Sequence, residues 1–249
     1  MRPPAPPPLI TLLLAGAVTL ALAGCKGAPG KPGPNSETPR PEQVTDFATL
    51  YNENCASCHG VNGKNGAAIS LANPVYLAIA GTSNIERITA NGVPGTMMPP
   101  FAQSKGGTLT DRQIAILAEV MEQTWRSANA LAGQSSPAYA SSTPGNPAAG
   151  ERAFATFCAR CHGADGAGTK IGNGVVTGSL IDPAYLALIS DQGLRSFLLA
   201  GLTEQGPHDW RSYFIEPPLV MTDQQITDTV AWLASHRVAT PGQPYQQRP

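Results

Sequence analysis

Apolar positions along the chain fall into one long run and several helical stripes. The run is Leu9 to Leu22, 14 apolar and small residues. That is too short for a bilayer span of about 20 residues but suits the hydrophobic segment of an export signal. Further on, Phe47, Leu50, Tyr51 and Cys55 recur at three- and four-residue steps, which puts them on one helix face. Ile114, Leu117 and Met121 make a second stripe, and Ile226, Val230 and Leu233 a third, and we read all of them as core packing. Thr110 with Gln113 and Thr222 with Gln225 are capping boxes, each starting the helix that carries the second or the third stripe. Asn146 followed by Pro147 predicts another helix start. His236 falls at the end of the last helix, where an imidazole complements the dipole. The stretches Gly60 to Gly66 and Gly163 to Gly174 read as loops, and no strand alternation stands out, so the expected fold is all-α.

The stripes belong to two copies of one unit. Cys55-Ala56-Ser57-Cys58-His59-Gly60 repeats as Cys158-Ala159-Arg160-Cys161-His162-Gly163 at an offset of 103. Asn73-Pro74-Val75-Tyr76 repeats as Asp182-Pro183-Ala184-Tyr185, and Gly92 as Gly201, at 109. Thr110-Asp111 repeats as Thr222-Asp223 at 112, so copy two carries two short insertions. A tandem duplication accounts for this. Pro/Gly/Ser-rich stretches separate the parts. The expected organisation is a signal segment over 1–24, a tether over 25–43, a first domain over 44–127, a linker over 128–146, a second domain over 147–238 and a tail over 239–249.

Glycine (26) and proline (24) together make about a fifth of the 249 residues, short of low complexity. Charged residues are 13% and the net charge is -1, which excludes an extended basic nucleic-acid surface. Copy one has six acidic and five basic residues and copy two nine and six, so neither has a strongly basic face to steer an acidic partner.

The five cysteines carry the chemistry. Cys25 closes Leu22-Ala23-Gly24-Cys25, which resembles the bacterial lipobox; there the cysteine is acylated and becomes the first mature residue. An ordinary signal peptide with an unpaired cysteine is the alternative. The other four form two Cys-x-x-Cys-His motifs, the attachment signature of c-type haem: two thiols for the vinyl groups and an adjacent imidazole for the iron. A thioredoxin-like pair needs a βαβ setting that is missing here, and a disulfide would strain so short a step. A zinc ribbon needs pairs about 15–20 residues apart, whereas Cys58 and Cys158 are 100 apart. Units of 80 to 90 residues also gain from a large buried cofactor.

With these motifs the chain resembles the class I cytochrome c family, as two fused domains behind a lipoprotein signal. The resemblance covers nearly the whole mature chain and implies two covalently bound haem c groups, held by Cys55 and Cys58 and by Cys158 and Cys161, with His59 and His162 on the irons. Family members supply a second axial ligand from a Met-Pro-x-(Phe or Trp) loop, which Met98-Pro99-Pro100-Phe101 matches, with Met97 as the competitor. Copy two departs from the pattern, because at the 109 offset Met98 falls on Pro207 and Phe101 on Trp210. The resemblance leaves Met221 or His208 as the ligand there, and related chains with an Asp-Trp-Arg loop and a Met before the final helix favour Met221. The function it implies is electron transfer rather than enzymatic catalysis, at the periplasmic or outer face of a bacterial membrane. The chain would be anchored through Cys25 and stand between a quinol-oxidising complex or dehydrogenase and an oxidase, a reaction centre or another acceptor, with no nucleic acid involved. The alternative is a haem enzyme, such as a peroxidase or a sulfur-compound oxidase, or a gas sensor, using the second haem.

Overall fold

A computed structural model describes residues 38–202, 208–212, 215 and 219–239. The expected signal segment, Cys25, the tether up to residue 37, the tail from residue 240 and Pro207 lie outside the described residues. Copy one begins with α1 (Phe47–Asn54), whose first turn is capped by Asp46 accepting from the Thr49 amide at 2.8 Å. The short α2 (Ala56–His59) follows directly. Asn73 caps α3 (Pro74–Asn91), which Gly81, at φ +67°, breaks in the middle. The Thr110–Gln113 capping box opens α4 (Asp111–Trp125).

Copy two runs α5 (Pro147–Phe157), α6 (Ala159–His162), α7 (Pro183–Leu188), α8 (Asp191–Ala200) and α9 (Asp223–Ala234). The pair α7 and α8 corresponds to the two halves of α3, since Gly81 plus 109 is Ser190, the cap of α8. The Asn146–Pro147 start and both capping boxes form as the residue pattern requires. No strand forms among the described residues, which hold only isolated bridges pairing Ala102 with Leu109 and Lys170 with Val176. No described helix is long and apolar enough to cross a membrane.

All three expected stripes face inward: Leu50 and Tyr51, then Ile114, Leu117 and Met121, then Ile226, Val230 and Leu233 are buried. His236 places Nδ1 2.9 Å from the Trp232 carbonyl, as a C-terminal imidazole should. In copy two α5 and α9 touch backbone to backbone, because Gly150 sits where a Cβ would lie 2.0 Å from the Asp228 carbonyl oxygen. Copy one has Phe47 at the equivalent place, and Phe47, Tyr51 and Trp125 fill the crossing with rings 5.3 to 5.7 Å apart.

The two copies share a core. One cluster of buried side chains runs from Leu50, Leu77 and Leu117 through to Phe157, Leu199, Trp210, Met221 and Ile226. Residues 128–146, which composition marks as a spacer, are tied to copy two through main-chain carbonyls. Arg195 donates to the Ala138 and Tyr139 carbonyls and to Thr227 Oγ1, and pairs with Asp223. Gln192 adds a bond to the Tyr139 carbonyl at 2.8 Å, and Arg211 one to the Ala130 carbonyl at 3.0 Å. Tyr139 is buried edge-on against Tyr76 of copy one. The buried Arg195 guanidinium is tolerated because each of its nitrogens donates to an acceptor.

Candidate functional site

Each Cys-x-x-Cys-His motif is a single helical turn, with the His59 amide 3.0 Å from the Cys55 carbonyl and the His162 amide 3.0 Å from the Cys158 carbonyl. The turn places two thiols and an imidazole on one short element. None of the four thiols is in a disulfide. Burial pushes the Cys55 thiol up to about 11 and the Cys158 thiol up to about 12, with the neighbouring cysteine adding to each shift. A redox-active Cys-x-x-Cys pair needs the opposite shift. Gly60 and Gly163, at φ +79° and +81°, turn the chain immediately after each histidine. The Tyr51 hydroxyl holds the first of these turns through the Gly60 carbonyl at 3.0 Å.

His59 is buried, with Nδ1 2.8 Å from the Ile69 carbonyl. A carbonyl only accepts, so Nδ1 carries the proton and Nε2 keeps its lone pair for a metal. Burial holds the imidazole's pKa below its ordinary value against the pull of the Ile69 carbonyl, so the ring is in the neutral form that iron takes. His162 differs. Its Nδ1 is buried without a hydrogen bond, although Gly178, which stands at Ile69's position by the 109 offset, faces it. Burial lowers its pKa too, against the opposing pull of the Gly178 backbone, and the nearby His208 adds to the lowering.

In copy one, the loop carrying Met98 is strapped to the end of α3. The Val93 amide donates to the Met98 carbonyl at 3.0 Å, and the Phe101 amide to the Thr89 carbonyl at 3.0 Å. Met98 is half-buried, whereas Met97 is 75% exposed. Gly92 packs against this loop, since a Cβ there would lie 2.5 Å from the Pro99 carbonyl carbon and the Pro100 nitrogen. In copy two a Cβ on Gly201 would meet the His208 carbonyl oxygen at 2.3 Å and the Asp209 nitrogen at 3.3 Å. The register therefore sets exposed His208 opposite Pro99, the residue after the Met, rather than opposite Met98.

Met221 is buried and occupies Leu109's place. Its amide donates to the Trp210 carbonyl at 2.9 Å, as the Leu109 amide does to the Phe101 carbonyl at 2.8 Å. Its side chain joins the apolar cluster against which Cys158 packs. Beside it Asp209 and Arg211 form a buried ion pair, with the guanidinium 4.7 Å from the centre of the Trp210 ring. Sequence reasoning missed this pair, although two opposite charges flanking a tryptophan were its signal. It also missed the Ile69 carbonyl, which no side-chain pattern marks. Two free thiols and an imidazole on one turn in each copy form a donor set that fits haem c.

Residues 42–121 match the family described as cytochrome c oxidase, cbb3-type, subunit III, and residues 147–237 match the family described as cytochrome c. The chain is 31% identical over 138 residues to the cbb3-type cytochrome c oxidase subunit FixP of Sinorhizobium medicae (strain WSM419), an alignment covering 51% of this chain and 41% of that protein. The chain thus spans about two fifths of that relative's length. Among solved structures, a reducing HAO-like protein complex of Kuenenia stuttgartiensis is similar with a TM-score of 0.42 and 16% identity, covering 80% of this chain and 99% of that one.

Proposed function

From the premise that the chain is two cytochrome c domains in tandem, an electron-transfer protein carrying two covalently bound haem c groups, we propose that it passes electrons to a terminal oxidase as a subunit or bound partner. Its electrons come from a quinol-oxidising complex or a dehydrogenase. The match of residues 42–121 to an oxidase subunit family and the similarity to a cbb3-type oxidase subunit support this reading.

In this reading Cys55 and Cys58 hold the first haem as thioethers, and Cys158 and Cys161 hold the second. His59 and His162 would supply Nε2 to the irons, and Met98 and Met221 would supply the thioether sulfurs. Iron held this way supplies a one-electron ferric/ferrous couple. The chain's own task is to keep both ligands in place through the change of charge. The Ile69 carbonyl fixes the His59 ring, and the bonds of Val93 and Phe101 keep the Met98 loop from swinging away. The motif Leu22-Ala23-Gly24-Cys25 supports a lipid anchor at Cys25 and a site of action on the outer face of a bacterial membrane, the periplasmic or exterior side. The observation that carries the proposal is the pair of matching turns, each with free thiols beside an imidazole, buried at His59 and half-buried at His162.

Stopped-flow mixing tests it. The purified protein, with two haems per chain, should be reduced by a quinol-oxidising complex and reoxidised within milliseconds to seconds by a terminal oxidase. A chain that the oxidase leaves reduced would rule out the proposed place in the sequence of transfers.

A further inference from the structure

Asn73 is 1% exposed and its side-chain amide is fully used. Oδ1 accepts from the Val75 and Tyr76 amides at 2.9 and 3.2 Å and so caps α3 in copy one. Nδ2 crosses into copy two, donating to the Ala200 carbonyl at 2.8 Å and the Gly201 carbonyl at 3.2 Å. These two carbonyls close α8. Gly201 there, at φ +68°, lies against the peptide between His208 and Asp209. Next comes Trp210, whose carbonyl holds the Met221 amide. A short chain of backbone contacts thus runs from a side chain of the first domain to the methionine proposed for the second haem.

The repeat isolates what is special about this position. Copy two has Asp182 at the equivalent place, exposed, capping α7 through the Tyr185 amide at 2.9 Å. A carboxylate caps as well as an amide does, but it has no N–H to give. The donor therefore exists only in copy one, and it is aimed at copy two.

We propose that Asn73 is a positioning residue for the second haem: from the first domain it sets the base of the loop leading to Met221, the methionine that would hold that haem. The inference rests on the reading that this loop holds the second haem through Met221. Removing the N–H₂ leaves two buried carbonyls without their donor, and a carboxylate in its place adds repulsion in a site that water does not reach.

Asn73→Asp and Asn73→Ser both keep the cap, as Asp182 and Ser190 do at their own helix starts. Each variant should still carry two haems per chain by pyridine haemochrome, with the first haem's magnetic circular dichroism and potential at their wild-type values. The second haem's potential and its sulfur-to-iron band should shift, more in Asn73→Asp than in Asn73→Ser. Amide exchange at Gly201 and His208 should quicken about tenfold, the worth of roughly one net hydrogen bond. Should Asn73→Asp fail to fold, Asn73→Ser alone carries the test. A second haem that keeps its wild-type potential and spectrum in every folded Asn73 variant overturns the proposal, whatever its ligand. If the second haem shifts in the Asn73 variants while Met221→Ala leaves it untouched, the role of Asn73 stands and the ligand assignment falls.

Discussion

His59 and His162 have the same neighbours in sequence and different surroundings in space. His59 gives its Nδ1 proton to the Ile69 carbonyl at 2.8 Å, whereas His162 faces Gly178 at the matching position without a bond of ordinary geometry. A ring whose second nitrogen is bonded is better oriented and more basic toward a metal, so the two sites differ on the side where they look alike. The methionines proposed for the two haems also come from different places in the fold, Met98 from the loop after α3 and Met221 from just before α9. Met98→Ala should abolish the sulfur-to-iron band of the first haem and lower its potential, while Met97→Ala, which alters a side chain 75% exposed, should leave both unchanged. Met221→Ala should act on the second haem in the same way, and His208→Ala should leave that haem six-coordinate, because the register sets His208 opposite Pro99. Absorption spectra and potentiometric titration of the four variants decide the assignments. The attachment motifs were legible as sequence because their chemistry is local, three residue types on one turn. The carbonyl that orients His59 was not, because it comes from ten residues away through main-chain atoms.

Helices, too, were readable where local residues determine them. Caps at Asn146, Thr110 and Thr222 and the apolar stripes each rest on contacts within a turn or two, and the structure forms every one of them. How closely two helices approach is a different matter, set by the smallest residue at their crossing. Gly150 lets α5 meet α9, and Gly150→Ala should cost about 1–3 kcal/mol of unfolding free energy, since its Cβ would lie 2.0 Å from the Asp228 carbonyl oxygen. Gly172→Ala, with no atom within 4 Å of the added carbon, should change stability by less than about 0.5 kcal/mol. Denaturant unfolding of the two variants compares them directly. In sequence, Gly150 is one of 26 glycines, and periodicity does not mark it out.

For the whole molecule, two copies are plain from the repeat, but their shared core is not. An Ala/Ser/Gly/Pro stretch looks the same whether it hangs in water or lies on a surface, and here the anchoring donors are Arg195, Gln192 and Arg211, far along the chain. Ala138 is exposed, but its carbonyl is held by Arg195 and the next residue is buried. Elastase, which needs a segment free to leave the surface, should therefore fail to separate the holoprotein into halves there, and two discrete haem-bearing fragments would contradict the docking seen here. The buried Tyr139 has a further consequence. A swinging linker would let the two haems meet and part, and the direction of flow would depend on which encounters happened. With the halves seated on a common core the separation is constant and no encounter is needed. The difference between the two potentials is then the remaining means by which the chain can favour one direction of electron flow, and the unequal surroundings of His59 and His162 bear on that difference.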